Sequence, residues 1–103
     1  MESYIYVIAS REEGPVKIGY SDDPSRRLKQ LQTGHPETLR IFYQEEIGYG
    51  RRKASLLERI IHKQNVHKRL KGEWYDLTVE NAILEVQYAI IRFGEDGNLY
   101  NYV

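Results

Sequence analysis

Two short apolar stretches joined by a turn constrain the fold most. Tyr4–Ala9 is apolar on both faces of a strand, which is typical of a central strand covered on both sides. Gly14-Pro15 marks a turn, and Val16–Tyr20 resumes as a second strand. The short connection favours antiparallel pairing. Gly19 interrupts the second strand and indicates either a bulge or a close backbone approach.

A helix follows the second strand at once. Ser21–Pro24 combines a polar cap candidate with proline in the first turn, which predicts a helix start. Leu28 and Leu31 would form the buried face of this helix, and Thr33-Gly34 would end it. The β-branched and aromatic content of Leu39–Ile47 predicts a third strand.

The second half of the chain contains two further helical patterns. Apolar residues recur at helical spacing over about Arg51–Gln64, and again after Thr78, a cap candidate, as far as Gly94. Gly72–Leu77 predicts a turn leading into a short extended piece, and the residues after Gly94 form a tail. We therefore predict an α+β fold, a small sandwich with a three-stranded, mainly antiparallel sheet flanked by helices.

Length and composition predict one soluble domain over residues 1–103. The absence of cysteine fits a reducing compartment, and we expect a cytoplasmic protein with no membrane partner. Fifteen basic and fifteen acidic residues cancel, so net charge is silent on a nucleic-acid partner. The basic residues nevertheless cluster in three patches: Arg26, Arg27 and Lys29; Arg51, Arg52 and Lys53; His67, Lys68, Arg69 and Lys71.

Glu58 and His62 are four residues apart, so they lie on one side of the predicted helix. Glu58 is either a half-buried structural carboxylate or a metal ligand. His62 is a second ligand, a phosphate contact or a packed surface histidine. One glutamate and one histidine lack the ligand count of a closed zinc site. A single carboxylate with waters and substrate phosphate is, however, the usual way to hold Mg²⁺.

Five more residues are open to a structural and a functional interpretation. Arg27 is either a solvated helix arginine or an anion clamp, and Tyr6 is either a core-edge residue or a functional phenol. Lys17 is a snorkelling strand residue or a catalytic cation. Trp74 is favoured to close the core while Glu73 pairs with a cation. Alternatively, Glu73 is a second acidic group of the site.

The order of these residues resembles the GIY-YIG nuclease superfamily. The two strand motifs of the family, its helix arginine and its metal-binding glutamate fall on Tyr4-Ile5-Tyr6, Lys17-Ile18-Gly19, Arg27 and Glu58. The Lys-Ile-Gly variant is similar to the branch named after a phage T5 open reading frame and a meiotically up-regulated fission-yeast gene. Other pieces of that branch fall on Asp23-Pro24, Arg27-Leu28-Lys29-Gln30-Leu31, Glu58 with His62, and Gly72-Glu73-Trp74-Tyr75.

The resemblance covers residues 3–77, and the helix over 78–93 and the tail would complete one nuclease domain. Two positions depart from the superfamily pattern: Tyr4 replaces a glycine, and Lys17 replaces a tyrosine that contributes to the site. Lysine is typical of the branch, so we interpret Lys17 as a substitution within an active site. The superfamily's terminal asparagine has no assigned counterpart, and Asn81 receives no role.

The resemblance implies phosphodiester hydrolysis in DNA with one divalent ion, Mg²⁺ or Mn²⁺, held by Glu58 and waters. Arg27 would stabilise charge on the phosphate oxygens, and Tyr6 would take a proton from the attacking water. Lys17 would lower the pKa of that phenol or orient the water. His62 would contact the phosphate or the leaving group.

We expect DNA contacts from basic residues outside the catalytic set: Arg26, Lys29, Arg51, Arg52, Lys68 and Arg69. We expect no separate recognition domain within these 103 residues, and a domain of this size has too little surface for extended sequence recognition. We therefore expect weak sequence specificity, a homodimer or a separate DNA-binding partner. The alternatives are a catalytically weak nucleic-acid-binding module of the same fold and, less favoured, a purely structural domain.

Overall fold

The structure is a computed structural model that describes residues 2–49 and 51–93. Its strands are β1 (Glu2–Ala9), β2 (Val16–Ser21), β3 (Arg40–Tyr49) and β4 (Trp74–Tyr75). Its helices are α1 (Pro24–Gln32), α2 (Arg51–Gln64) and α3 (Val79–Phe93), with a short 3-10 helix over Val66–Lys68. The α+β class is confirmed. The predicted tail lies outside the described residues.

The described strands form one antiparallel sheet in the order β3-β1-β2-β4. β1 is a central strand, as predicted from its two apolar faces, and β2 pairs with it along its whole length. The sheet has four strands where we predicted three, because Trp74-Tyr75 pairs with the first two residues of β2. A strand of only two residues is too short to show a periodic pattern, so the sequence predicts only a short extended piece here.

Helices cover both faces of β1. The larger core cluster contains Ile5, Val7 and Ala9 of β1 together with buried residues of α2 and α3. A smaller cluster contains Tyr6 and Ile8, against which α1 packs its predicted inner-face leucines. The sheet therefore separates α1 on one face from α2 and α3 on the other.

The two predicted helix caps are confirmed. The Asp23 side chain accepts a hydrogen bond from the backbone N–H of Arg26 at 3.1 Å, and proline occupies the first turn of α1. Thr78 Oγ1 accepts from the backbone N–H of Asn81 at 3.1 Å at the start of α3. The first cap matters for function, because it fixes where α1 begins relative to the end of β2.

Candidate active site

The candidate site lies at the edge of β2 that the short strand β4 leaves uncovered. Beyond the β4 pairing, side chains of α2 meet this edge: His62 Nε2 lies 2.8 Å from the Ile18 carbonyl oxygen. The Glu58 carboxylate accepts a hydrogen bond from the backbone of Tyr20. Four residues of a helix span about 6 Å along its axis, and two residues of a strand span about 6.7 Å. The i,i+4 pair on α2 therefore matches the i,i+2 spacing on β2.

Gly19 lies between these two contacts and allows Tyr6 to reach the site. Tyr6 is the β1 residue directly opposite Gly19 in an unbroken register. A Cβ atom at Gly19 would overlap the hydroxyl group and ring of Tyr6. Of the two predicted explanations for Gly19, the bulge is therefore wrong. The close approach is real, and a phenol makes it rather than a backbone segment.

A cleft of about 320 Å³ opens beside the Tyr6 hydroxyl, where α1, the end of β2 and α2 meet. The described residues that line it are Tyr6, Tyr20, Ser21, Asp22, Arg26, Arg27, Gln30, Arg51, Glu58 and Glu73. Three arginines and three carboxylates thus face the same space. Such a cleft offers groups for an anion and groups for a cation side by side.

Lys17 lies beside the cleft and is nearly buried, with 8% of its side chain exposed. Its Nζ is 3.0 Å from Glu73 Oε1 and 5.9 Å from the centre of the Trp74 ring. The predicted pairing of Glu73 with a cation is therefore confirmed, and Trp74 packs against the smaller core cluster. Because Glu73 also lines the cleft, its structural pairing and its position at the site coexist.

The phenol of Tyr6 is not activated in this structure. Burial raises the pKa of Tyr6, a hydrogen bond and the charge of Arg27 oppose the rise, and the charges of Glu73 and Glu58 add to it. We predicted that Lys17 would lower this pKa or orient the attacking water. Lys17 pairs with Glu73 and the net change in the Tyr6 pKa is a rise, so a lowering effect of Lys17 on this pKa stays a prediction.

Glu58 is the most perturbed carboxyl of the cleft. Burial raises the pKa of Glu58 from 4.5 to about 7, and the negative charge of Glu73 adds to the rise. The hydrogen bond from Tyr20 and the charges of Lys17 and Arg27 oppose it. An ionised carboxylate at this position is therefore costly without a cation beside it. Such a perturbed acid in a cleft is typical of functional sites.

His62 is held as a neutral imidazole with one nitrogen facing the carboxylates. Burial lowers the pKa of His62, against the opposing effect of its hydrogen bond to Ile18. A carbonyl oxygen only accepts, so Nε2 must carry the hydrogen and donate to Ile18. In the neutral ring Nδ1 then has the lone pair, and it lies 3.9 Å from Glu58 Oε1.

These residues fit a divalent cation. Glu58, His62 and Glu73 each offer one ligand atom, and the three atoms lie within 4.8 Å of one another. All three side chains are partly buried. Carboxylate oxygens and imidazole nitrogen are the donors that divalent metals use in proteins. The structure therefore places His62 and Glu73, each already an alternative candidate for the site, within reach of one ion held by Glu58.

The structure brings together most of the predicted catalytic set. Tyr6, Arg27 and Glu58 line the cleft, and Lys17 and His62 contact it through Glu73 and Glu58. Of the predicted DNA-contacting residues, Arg26 and Arg51 line the cleft. Within the described ranges, the others lie outside its lining: Lys29, Arg52, Lys68 and Arg69. Arg69 Nε donates to the Gly72 carbonyl oxygen at 2.7 Å.

Sequence reasoning missed two polar neighbours of this set. Tyr20 supplies both a cleft wall and the backbone donor to Glu58. Gln30 lines the cleft and accepts a hydrogen bond from Arg27 at 3.3 Å. The i,i+3 spacing of Arg27 and Gln30 on one helix was the available signal. Tyr20 directly follows Gly19, yet an aromatic residue at a strand end gives no sign of such a role.

A family model, described as the T5orf172 domain, matches residues 3–90. The chain belongs to the T5orf172 domain family. No curated protein and no solved structure matched it. The T5orf172 domain is one of the GIY-YIG, nuclease-like group. The comparison therefore supports the predicted superfamily, and it leaves the Lys-Ile-Gly assignment of the branch as a prediction.

Membership in the T5orf172 family is compatible with a nuclease-like or nucleic-acid-binding module. The match extends beyond the predicted motif region of residues 3–77 and includes most of α3. No helix within residues 2–49 and 51–93 is long and apolar enough to cross a membrane.

Proposed function

We propose that this T5orf172 domain is a divalent-metal-dependent endonuclease that hydrolyses phosphodiester bonds in DNA. The observation that carries the proposal is the convergence of Tyr6 from β1, Arg27 from α1 and Glu58 from α2 on one cleft. These three elements are distant in sequence, and a purely structural domain gives no reason for their polar side chains to share one half-buried space.

Glu58 would hold the Mg²⁺ or Mn²⁺ ion, because its carboxylate is half-buried and costly to ionise without a cation. The chemistry that such an ion supplies when bound is Lewis-acid activation of the phosphate and stabilisation of the leaving oxygen. The hydrogen bond from Tyr20 fixes the orientation of the Glu58 carboxylate towards the cleft. The ion pair with Lys17 would keep Glu73 next to Glu58.

Arg27 would bind the non-bridging oxygens of the scissile phosphate. Its guanidinium lines the cleft, and the hydrogen bond to Gln30 Oε1 orients it. A planar guanidinium can donate two parallel hydrogen bonds to a phosphate, which makes it better suited than lysine to this position. Arg26 and Arg51 line the same cleft and would contact adjacent phosphates.

Tyr6 would accept the proton of the water that attacks phosphorus as the bond to the leaving oxygen breaks. Burial raises the pKa of Tyr6, Arg27 opposes the rise, and the negative charges of Glu73 and Glu58 add to it. Neutralising those two carboxylates would remove two causes of the rise and so bring the pKa of Tyr6 down. His62 would face the phosphate or leaving group only through Nδ1, which carries a lone pair and accepts hydrogen bonds, because its Nε2 donates to Ile18.

The proposed substrate is DNA with weak sequence preference. The cleft offers room and charge for a few phosphates, and a specific DNA interface buries on the order of 1,000 Å² or more of protein surface. A homodimer or a separate DNA-binding partner would supply further contacts. A single site cuts one strand, so a double-strand break would require two copies or two visits.

The test is nicking of supercoiled plasmid in Mg²⁺ or Mn²⁺ by the parent, Arg27→Ala and Glu58→Gln, whose amide oxygen can still accept from Tyr20. Arg59→Ala and Glu80→Gln are matched controls, since both residues are exposed on helices and lie outside the described cleft lining. We expect at least about 100-fold slower nicking in the two cleft variants, as for loss of one main electrostatic group. Equal nicking by the parent and Glu58→Gln would refute the proposal.

One observation favours a second function, a nucleic-acid-binding module with weak catalysis. Burial raises the pKa of Tyr6, so the phenol of the proposed proton acceptor holds its proton more tightly than a free phenol, while three arginines line the same cleft and offer contacts to an anion. This alternative predicts DNA binding that weakens steeply with salt and depends on Arg27, with no metal-dependent nicking. Salt-sensitive binding measured beside the nicking assay separates the two functions.

A further inference from the structure

We propose that the divalent ion is held by three protein ligands, Glu58, His62 Nδ1 and Glu73, and that the site selects a transition ion such as Mn²⁺ over Mg²⁺. The inference rests on the proposed function for the role of the ion, but the binding itself can be measured without DNA. It differs from a site in which a single carboxylate and waters hold Mg²⁺.

The tautomer of His62 is the first support. The Ile18 carbonyl oxygen engages Nε2 at 2.8 Å, which leaves the lone pair on Nδ1. Metal-ligating histidines almost always donate their other ring N–H to a carbonyl or carboxylate, which fixes the ring and raises its basicity. His62 already has this arrangement, and Nδ1 is 3.9 Å from Glu58 Oε1.

The spacing of the three donors is the second support. With metal–ligand bonds of about 2.0–2.2 Å, two ligand atoms on one ion lie about 3–4.3 Å apart. The three candidate atoms already lie within 4.8 Å of one another, so small side-chain movements would complete the site. Glu73 Oε1 pairs with Lys17, and its second carboxylate oxygen allows it to bind an ion without losing that pair.

The imidazole donor determines the metal preference. Mg²⁺ favours oxygen ligands and gives up its waters reluctantly, whereas divalent ions of the first transition row accept imidazole more readily, and Mn²⁺ among them also accepts the oxygen ligands that suit Mg²⁺. Removing His62 should therefore weaken binding of Mn²⁺ more than binding of Mg²⁺. Removing a carboxylate should weaken both. This difference separates a three-ligand site from a single-carboxylate site with a bystander histidine.

The experiment uses untagged, chelator-treated protein and no DNA. Pulsed EPR of bound Mn²⁺ should show coupling to one ¹⁴N nucleus, and calorimetry should give at least about tenfold tighter binding of Mn²⁺ than of Mg²⁺. In His62→Gln, whose amide can still donate to Ile18, the nitrogen coupling should disappear. Mn²⁺ affinity should fall at least about tenfold, and Mg²⁺ affinity should change little.

His67→Gln is the matched control, because His67 is exposed and outside the candidate ligand set, and it should keep the nitrogen coupling. Glu73→Gln should weaken Mn²⁺ and Mg²⁺ alike. Absence of nitrogen coupling in the parent would overturn the inference, even if His62→Gln failed to fold. Plasmid nicking without nitrogen coupling would remove this inference alone, whereas nitrogen coupling without nicking would remove the nuclease and keep the metal site.

Discussion

Replacing the proposed metal ligand Glu58 with glutamine should stabilise the metal-free protein at alkaline pH. Burial and the charge of Glu73 raise the pKa of Glu58 from 4.5 to about 7. Between these values the native state binds more protons than the unfolded chain does, so the free energy of unfolding falls as pH rises. Glutamine carries no charge at any pH and still offers Tyr20 an oxygen acceptor. The substitution therefore removes this pH dependence.

The size of the effect follows from the same change. A rise in pKa from 4.5 to about 7 corresponds to about 3 kcal/mol between the two protonation states. Glutamine still loses some hydration on burial, so we expect Glu58→Gln to exceed the parent by about 1–3 kcal/mol at pH 8. At pH 5 the Glu58 carboxyl is largely protonated, and the two proteins should differ little.

The assay is urea unfolding of both proteins at pH 5 and pH 8 in chelator. Glu13→Gln is the control, because Glu13 is exposed in the connection between β1 and β2, and its stability should follow that of the parent at both values. Replacing the chelator with Mn²⁺ at pH 8 should stabilise the parent but not Glu58→Gln. Two results would refute the reasoning. Glu58→Gln could be less stable than the parent at pH 8, or its free energy of unfolding could differ from that of the parent by the same amount at both pH values.

Three further predictions concern the same cleft. Mn²⁺ affinity should fall about tenfold per pH unit below pH 7 and level off above it, because Glu58 must lose its proton to bind; calorimetry that gives a flat profile across pH 7 would contradict this. Lys17→Met should shift the midpoint of that profile to higher pH, since the Lys17 charge lowers the pKa of Glu58; an unchanged midpoint would count against this interaction. Gly19→Ala should destabilise the fold by about 1–3 kcal/mol through overlap with Tyr6. Adding Tyr6→Phe to that variant should recover part of the lost stability in thermal unfolding. An unaltered melting temperature in Gly19→Ala would contradict the close contact.

Local patterns were sufficient for the elements that carry the site. The two apolar faces of Tyr4–Ala9 predicted a central strand, and the polar cap before Pro24 predicted the start of α1. The i,i+4 spacing of Glu58 and His62 placed them on one side of α2, as the structure has them. Each of these inferences depends on neighbours within a few residues, which is why the sequence alone could make them.

The ion pairs and pKa shifts of the site could not be predicted from such local patterns. The ion pair of Lys17 and Glu73 joins residues that are far apart in sequence, and it exists because β4 places Glu73 beside the first residues of β2. The pKa of Tyr6 depends on how deeply β1 is buried and on which cation reaches the phenol. Both depend on tertiary packing, and the sequence offered only the residue types.

The uncovered edge of β2 explains why the same side chains contribute to stability and to the candidate site. A strand edge exposes backbone donors and acceptors that a fold must cover or satisfy. Here Glu58 and His62 satisfy the backbone of Tyr20 and Ile18, and in doing so they orient their remaining donor atoms towards the cleft. Alanine at either position would remove a structural hydrogen bond together with a candidate ligand. Only substitutions that keep the backbone contact, such as glutamine at both positions, can separate loss of metal from loss of fold.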